Sequence, residues 1–208
     1  MTHFDRPLPR RAVIQGAGLG LVAGTLAQAT SAQNARAEIP GSEIRSGEYW
    51  ARKGDIPLWM YRKRIGMPKS GELTQLPVVF FVHGSSVSSR GFDLNVPGHG
   101  EYSIMNAFAR AGFDCWTMDH ENYGKSGRTS GNSDIASGVE DLKAAAEVIA
   151  RETGRQKFHL LGESSGALRA AAYAMVAPER ADRLVLAAFR SSTPLAMSAL
   201  PDVRPDLP

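Results

Sequence analysis

Short apolar runs alternate with helix-length segments through residues 76–189, and this alternation limits the folds open to the chain. The run LPVVFFVHG, at 76–84, is continuously apolar and ends in glycine, which is typical of a strand buried on both faces. Residues 134–154 place their apolar side chains near one helical face and end at a glycine. Helices of this length between buried strands connect parallel strands. The sequence therefore predicts an α/β fold with a doubly wound, mostly parallel sheet.

The remaining elements follow from the same patterns. Residues 49–64 predict two short strands around a turn at Lys53-Gly54-Asp55. Ser133 is the expected N-cap of the long helix. The other expected elements are short helices at 101–112 and 165–177 and strands at 113–120, 157–161 and 181–189.

Composition narrows the classes of function. The 208 residues suggest one domain, and 43% hydrophobic residues are enough for a packed core. The net charge of +3 comes from residues 1–37, which carry four Arg and one Asp, so the rest of the chain is balanced. Nothing here favours nucleic acid as a partner. The single cysteine, Cys115, excludes an intramolecular disulfide and a Cys-rich zinc site, and we expect no metal or organic cofactor.

The first 37 residues have the layout of an export signal. The pair Arg10-Arg11 precedes a mildly apolar run, Ala12 to Ala29, and small-residue cleavage sites such as Ala35-Arg36-Ala37 follow. With Val13 and Ile14 after it, the pair resembles a twin-arginine signal. We therefore expect a signal peptide at 1–37, periplasmic or secreted localisation, and no stable membrane association after cleavage. A retained membrane anchor is the alternative, although four glycines lower the hydrophobicity of the run.

The stretch Gly162-Glu163-Ser164-Ser165-Gly166 joins an expected strand to an expected helix. A serine at such a turn sits on strained backbone with its hydroxyl exposed, and the flanking glycines are needed because no side chain fits where strand and helix pack closely. The helix N-terminus adds a positive dipole end beside Ser164. Ser164 is therefore the candidate nucleophile, and an ordinary serine helix cap is the alternative.

His83-Gly84-Ser85-Ser86 closes the buried strand, and at this point residues 48–189 resemble the α/β-hydrolase superfamily. The resemblance implies an oxyanion hole with one backbone N–H from Ser85, or from Gly84 as second choice, and the other from Ser165. Two preorganised donors are what the oxyanion of acyl transfer requires. His83 itself is expected to be a packed structural histidine.

Residues 119–127, DHENYGKSG, resemble the D-x-x-G-x-G-x-S loop of the same superfamily with looser glycine spacing. The resemblance implies a structural loop at the sheet edge that carries Ser164. His120 as a catalytic base is the minor alternative, because turn chemistry explains the loop.

A nucleophilic serine needs a base, and in the resembling superfamily the order along the chain is serine, acid, histidine. Here every histidine precedes Ser164: His3, His83, His99, His120 and His159. The acids Asp202 and Asp206 lie in a Pro-rich, irregular tail at 190–208. We therefore expect residues 38–189 to be a partial hydrolase domain, truncated after its sixth strand and inactive as this chain, with a natural short form left open.

These observations predict a serine hydrolase of the ester or amide class that forms an acyl-enzyme on Ser164. Its partner is expected to be a small-molecule ester or amide, lipid-like esters included. Serine at position 164 argues against the dehalogenase and epoxide-hydrolase branches of the superfamily that the chain resembles, because those branches carry aspartate as the nucleophile. The alternative is a non-catalytic, hydrolase-like binding module or an inert fragment.

Overall fold

A six-stranded sheet organises residues 43–66 and 76–188, which are the residues described by the structure, a computed structural model. They belong to a unit that spans Glu38–Pro208. In chain order the elements are β1 (Ile44–Lys53), β2 (Ile56–Ile65), β3 (Val78–Val82), β4 (Asp93–Asn95), β5 (Glu101–Ser103), α1 (Ile104–Arg110), β6 (Asp114–Met118), α2 (Ile135–Thr153), β7 (Phe158–Glu163), α3 (Ser165–Val176) and β8 (Ala181–Ala187). The expected signal peptide and the Pro-rich tail lie outside the described residues.

The strand order is β1-β2-β6-β3-β7-β8, and the four strands from β6 to β8 are parallel. β1 and β2 form an antiparallel hairpin, and β2 also pairs antiparallel with β6. Helices connect the parallel strands, so the predicted mostly parallel α/β sheet is confirmed. Because β3, β6 and β7 run the same way, the loops that follow them meet at one edge of the sheet. We call this edge the carboxyl edge.

An apolar layer covers each face of the sheet. The larger layer contains Phe80 and Trp116 from the strands, packed with Leu142 of α2 and Tyr173 of α3. The smaller layer contains Phe81 and other strand residues, packed with Met105 of α1. The neighbours Phe80 and Phe81 thus enter opposite layers. β3 is therefore buried on both faces, as its continuous apolar run predicted.

The N-cap of α2 differs from the expectation. Asp134, not Ser133, occupies the cap, and its side chain accepts a hydrogen bond of 2.8 Å from the backbone N–H of Ser137. A carboxylate here also interacts favourably with the positive end of the helix dipole. Ser133 is buried just before the cap with a φ of 47°. The helix ends at Gly154, in the left-handed region at φ 72°, as expected.

A small antiparallel pair, β4 and β5, was not expected. β5 occupies the first residues of the segment that was expected to be helical, so α1 begins later, at Ile104. Ser103 is the N-cap of α1, and its hydroxyl accepts a hydrogen bond of 3.0 Å from the backbone N–H of Asn106. The carboxylate of Asp93 in β4 forms an ion pair of 2.6 Å with Lys63 of β2, which attaches the β4–β5 pair to the main sheet. None of the helices in 43–66 and 76–188 is long and apolar enough to span a bilayer.

Candidate active site

Ser164 occupies the sharp turn between the end of β7 and the start of α3. Its backbone has φ 55° and ψ −124°, a left-handed conformation that is strained for a residue other than glycine. The backbone N–H of Ser164 donates to the carbonyl of Ala187 at 2.9 Å, which holds the turn against β8. The residue is exposed, and its Oγ makes no hydrogen bond within the described part of the chain. The hydroxyl is therefore accessible from solvent.

Glycine is required on both sides of this turn. A Cβ added to Gly162 would lie 2.5 Å from the carbonyl oxygen of Gly166 and 2.6 Å from the Cα of Ala167. A Cβ added to Gly166 would lie 2.1 Å from the carbonyl oxygen of Val82. These obstacles are backbone atoms, so no side-chain rotation relieves them. The close packing of strand and helix is what the sequence motif predicted.

The turn after β3 packs directly against this serine. A Cβ on Gly84 would come within 2.9 Å of both the carbonyl oxygen of Glu163 and the Cβ of Ser164. Beside it, the hydroxyl groups of Ser85 and Ser165 form a hydrogen bond of 2.8 Å. The structure thus brings the three candidate residues, Ser85, Ser164 and Ser165, together at the carboxyl edge. Ser165 is the first residue of α3, where backbone N–H groups have no partner within the helix.

His83 is a packed, uncharged histidine. It is 1% exposed, its Nδ1 donates to the carbonyl of Gly84 at 2.7 Å, and its Nε2 accepts from the backbone N–H of His120 at 3.0 Å. Burial, with a further contribution from His120, lowers the pKa of His83 to about 3. Both ring nitrogens are in use, so His83 holds two loops of the carboxyl edge together and has no free nitrogen for Ser164.

His120 is also fully buried. Its Nδ1 donates to Asp141 Oδ2 at 3.0 Å, and burial lowers the pKa of the imidazole despite that carboxylate. Its Nε2 is shielded from solvent and has no hydrogen-bond partner in the described residues. No hydrogen bond therefore connects His120 with Ser164.

Asp119 organises the loops around the site. Its Oδ1 accepts from both the backbone N–H and the hydroxyl of Ser89, at 3.0 and 2.7 Å, and its Oδ2 accepts from the N–H of Lys125 at 2.8 Å. A Cβ on Gly124 would lie 1.9 Å from the Asp119 carboxylate, and Gly124 has φ 44°. This is the structural role that the family resemblance implied for residues 119–127.

The two other described histidines form no hydrogen bond with Ser164. His159 is near the start of β7, whereas Ser164 follows its end, and His159 faces Asp182 at 3.3 Å. His99 is exposed in the turn between β4 and β5. Across 43–66 and 76–188, Ser164 thus has no histidine partner. In the same ranges, no three His, Cys, Asp or Glu side chains converge as metal ligands.

A buried ionic network behind the loop was not apparent from the sequence. Lys53 Nζ lies 2.5 Å from Glu121 Oε2, 2.5 Å from Asp141 Oδ1 and 2.9 Å from Ser137 Oγ. Burial alone would raise the pKa of Asp141, but the hydrogen bonds from His120 and Lys53 outweigh it, so the pKa lies below its usual range. The network joins the β1–β2 turn, α2 and the loop after β6, which are distant in sequence.

Replacing Lys53 with methionine should lower the free energy of unfolding by about 3 kcal/mol, because the buried carboxylate of Asp141 loses its counterion. The pKa of Asp141 is lowered in the folded state, so the stabilisation is present above the ordinary carboxyl pKa and is lost as the pH falls through the folded value. The difference from wild type should therefore shrink in acid. Urea unfolding at neutral and acidic pH measures it.

Lys143→Met is the matched control, because Lys143 and Glu140 form an exposed pair at 2.7 Å. Such pairs contribute about 0.5 kcal/mol or less. Equal unfolding free energies for the two variants at neutral pH contradict the prediction.

Comparison with known proteins identifies the family. The family model for the alpha/beta hydrolase fold matches residues 77–205. Gastric triacylglycerol lipase of Bos taurus is 27% identical over an alignment of 154 residues, and the match covers 65% of this chain and 38% of the lipase. The chain therefore spans well under half the length of that relative.

Two solved structures share the fold. A protein from Thermoplasma acidophilum described as a predicted CIB-like hydrolase superposes with a TM-score of 0.53 at 14% identity, over 76% of this chain and 71% of that one. Cfl2 from Burkholderia cenocepacia superposes with a TM-score of 0.54 at 18% identity, over 77% of this chain and 47% of that one. Together with the match to the family model, the parallel sheet and the strand–turn–helix at Ser164 lead to one conclusion: this chain belongs to the α/β hydrolase fold family.

Proposed function

We propose that this protein is a serine hydrolase of the ester or amide class that forms an acyl-enzyme on Ser164. The observation that carries the proposal is the exposed Ser164, whose backbone is held at φ 55° between β7 and α3. Such strained residues cluster at active sites, and they persist only where the surrounding structure fixes them. The likeness to a triacylglycerol lipase supports small-molecule esters, lipid-like esters included, as substrates.

In the proposed reaction, the Oγ of Ser164 attacks the substrate carbonyl and loses its proton to a base. The negative oxygen that forms accepts hydrogen bonds from the backbone N–H groups of Ser85 and Ser165, and the N-terminal end of the α3 dipole favours the same charge. The tetrahedral intermediate collapses to the acyl-enzyme and releases the alcohol or amine. Water then attacks the carbonyl of the acyl-enzyme, the bond to Ser164 Oγ breaks, and the carboxylic acid leaves as the hydroxyl is regenerated.

The described residues do not supply the base that must accept the proton of Ser164. His83 and His120 are buried and engaged elsewhere, so the proton of Ser164 must pass to a group outside 43–66 and 76–188 or to a base in solution. Loss of the histidine of a serine triad costs on the order of a million-fold in turnover. We therefore expect the 208-residue chain to hydrolyse simple nitrophenyl esters no faster than background.

A non-catalytic, hydrolase-like binding module is the second candidate. The observation that favours it is the lack of any hydrogen bond between Ser164 and a histidine in the described part of the chain. The two candidates differ in the reactivity of Ser164, because a module that only binds has no need of oxyanion donors around a serine.

Covalent labelling tests the proposal. A fluorophosphonate reacts with serines whose site stabilises a negative tetrahedral centre. We expect slow labelling of the 208-residue chain, mapped by mass spectrometry to Ser164 alone and absent from Ser164→Ala. Ser130→Ala is the matched control, because Ser130 is exposed and lies outside the site. A chain that stays unlabelled at Ser164 after long incubation favours the binding module.

We also propose export through Arg10-Arg11, which rests on the sequence pattern of residues 1–37. Replacing both arginines with lysine should keep the full-length protein in the cytoplasm, because lysine does not substitute in a twin-arginine signal. Cell fractionation and the mass of the chain measure the outcome. Arg6→Lys with Arg36→Lys is the matched pair and should leave export unchanged. Normal export and processing of the variant with both Arg10→Lys and Arg11→Lys contradict the proposal.

A further inference from the structure

We infer that the hydrogen bond between the side chains of Ser85 and Ser165 sets the spacing of the two oxyanion donors. We call this bond the hydroxyl clasp. It makes Ser85 and Ser165 positioning residues through their side chains, in addition to the backbone N–H groups discussed above. The inference rests on the proposed function and assigns a role to two hydroxyl groups that the proposed reaction does not use.

The clasp joins the two turns that carry the donors. Ser85 lies in the turn after β3, and Ser165 begins α3. Their Oγ atoms are 2.8 Å apart, the usual distance for a hydrogen bond between hydroxyl groups, and 80 residues separate them in sequence. The bond lies at the exposed surface of the site. On the core side, Gly84 already packs against Ser164, so the clasp adds a second point of attachment farther along the turn.

The turn after β3 needs such an attachment. Ser86, the residue after Ser85, has φ 69°, a left-handed conformation that costs about 1–3 kcal/mol and persists only when neighbouring contacts fix it. The side chain of Ser88 is used locally, where it accepts from the N–H of Arg90 at 3.4 Å. The side chain of His83 holds the carbonyl of Gly84, but among the described residues the clasp is the one side-chain hydrogen bond that links 85–88 to another part of the fold.

The spacing of the donors has a direct effect on rate. Both N–H groups must lie about 2.7–3.1 Å from one point, where the oxyanion forms. The N–H of Ser165 is fixed by α3, whereas that of Ser85 moves with its turn. A displacement of about 1 Å at a reacting centre costs on the order of 100-fold in rate. Because the oxyanion exists only after attack, loss of the clasp should slow the chemical step and leave reversible binding unchanged.

A double-mutant cycle tests the clasp. We would measure fluorophosphonate labelling of Ser164 in the 208-residue chain, with imidazole added as a base, and resolve the maximal rate from the half-saturating concentration. Ser85→Ala and Ser165→Ala should each lower the maximal rate by about 10- to 100-fold at unchanged half-saturation. The double variant should fall no further, because both changes break one bond. Ser85→Thr keeps a hydroxyl and should retain most of the rate.

Hydrogen exchange provides a readout that needs no reaction. Ser85→Ala should speed amide exchange in residues 84–88 while the melting temperature stays that of wild type. The control Ser130→Ala should change neither exchange nor labelling.

Four outcomes separate the clasp from the proposed function. Wild-type rates in Ser85→Ala, or losses that add in the double variant, overturn the clasp and leave Ser164 as the nucleophile. Unchanged exchange in 84–88 also overturns it. A wild-type chain that is never labelled at Ser164 overturns the proposed function, and the catalytic role of the clasp with it.

Discussion

Imidazole in the buffer should accelerate fluorophosphonate labelling of Ser164 by about 10- to 100-fold. A positioned base contributes roughly 10²–10⁴-fold to such reactions, and a free base recovers part of this where it can reach the nucleophile. Ser164 is exposed, and no histidine in the described residues is hydrogen-bonded to it. The rate should follow the neutral fraction of imidazole and rise as the pH passes through its pKa. Intact-mass time courses at several imidazole concentrations measure it.

The controls for this experiment distinguish an external base from an internal one. Ser164→Ala should remain unlabelled at every concentration of imidazole. Rapid labelling without imidazole that disappears in His120→Ala shows that the buried His120 reaches Ser164 after a rearrangement, and it contradicts our assignment. Wild-type labelling in His120→Ala, with the same response to imidazole, supports the assignment.

The sheet was predictable because its signals are local. The continuous apolar run before His83, and the glycines on either side of Ser164, identify strands and turns without reference to the rest of the chain. The motif at Ser164 also predicted which elements it joins. The pair β4–β5 was missed because its three-residue strands are too short to show a periodic pattern.

The contacts that shape the site depend on tertiary structure. The hydroxyl clasp and the network around Lys53 each join segments that are far apart in sequence, so no spacing along the chain indicates them. The N-cap of α2 was predicted one residue too early, because Ser133 and Asp134 are both favourable N-cap residues and only the backbone geometry selects between them. The roles of His83 and His120 likewise became visible only with their burial and partners.

Gly166→Ala should lower the free energy of unfolding by about 4 kcal/mol, somewhat more than the usual cost of an extra methyl group in a core. The new Cβ would lie 2.1 Å from the carbonyl oxygen of Val82 and 2.5 Å from that of His83. β3 lies between β6 and β7, so its backbone cannot move away without breaking hydrogen bonds on both sides. For a chain of this length the melting temperature should fall by about 8–16 °C.

Gly91→Ala is the matched control for that prediction, because a Cβ at Gly91 meets nothing within 4 Å. It should melt at or slightly above the wild-type temperature, since alanine restricts the unfolded chain more than glycine does. Equal melting temperatures for the two variants would show that α3 can shift away from β3 without loss of stability. In that case the backbone at Ser164 is not held by this packing, and the strain on which the proposed function depends has another origin.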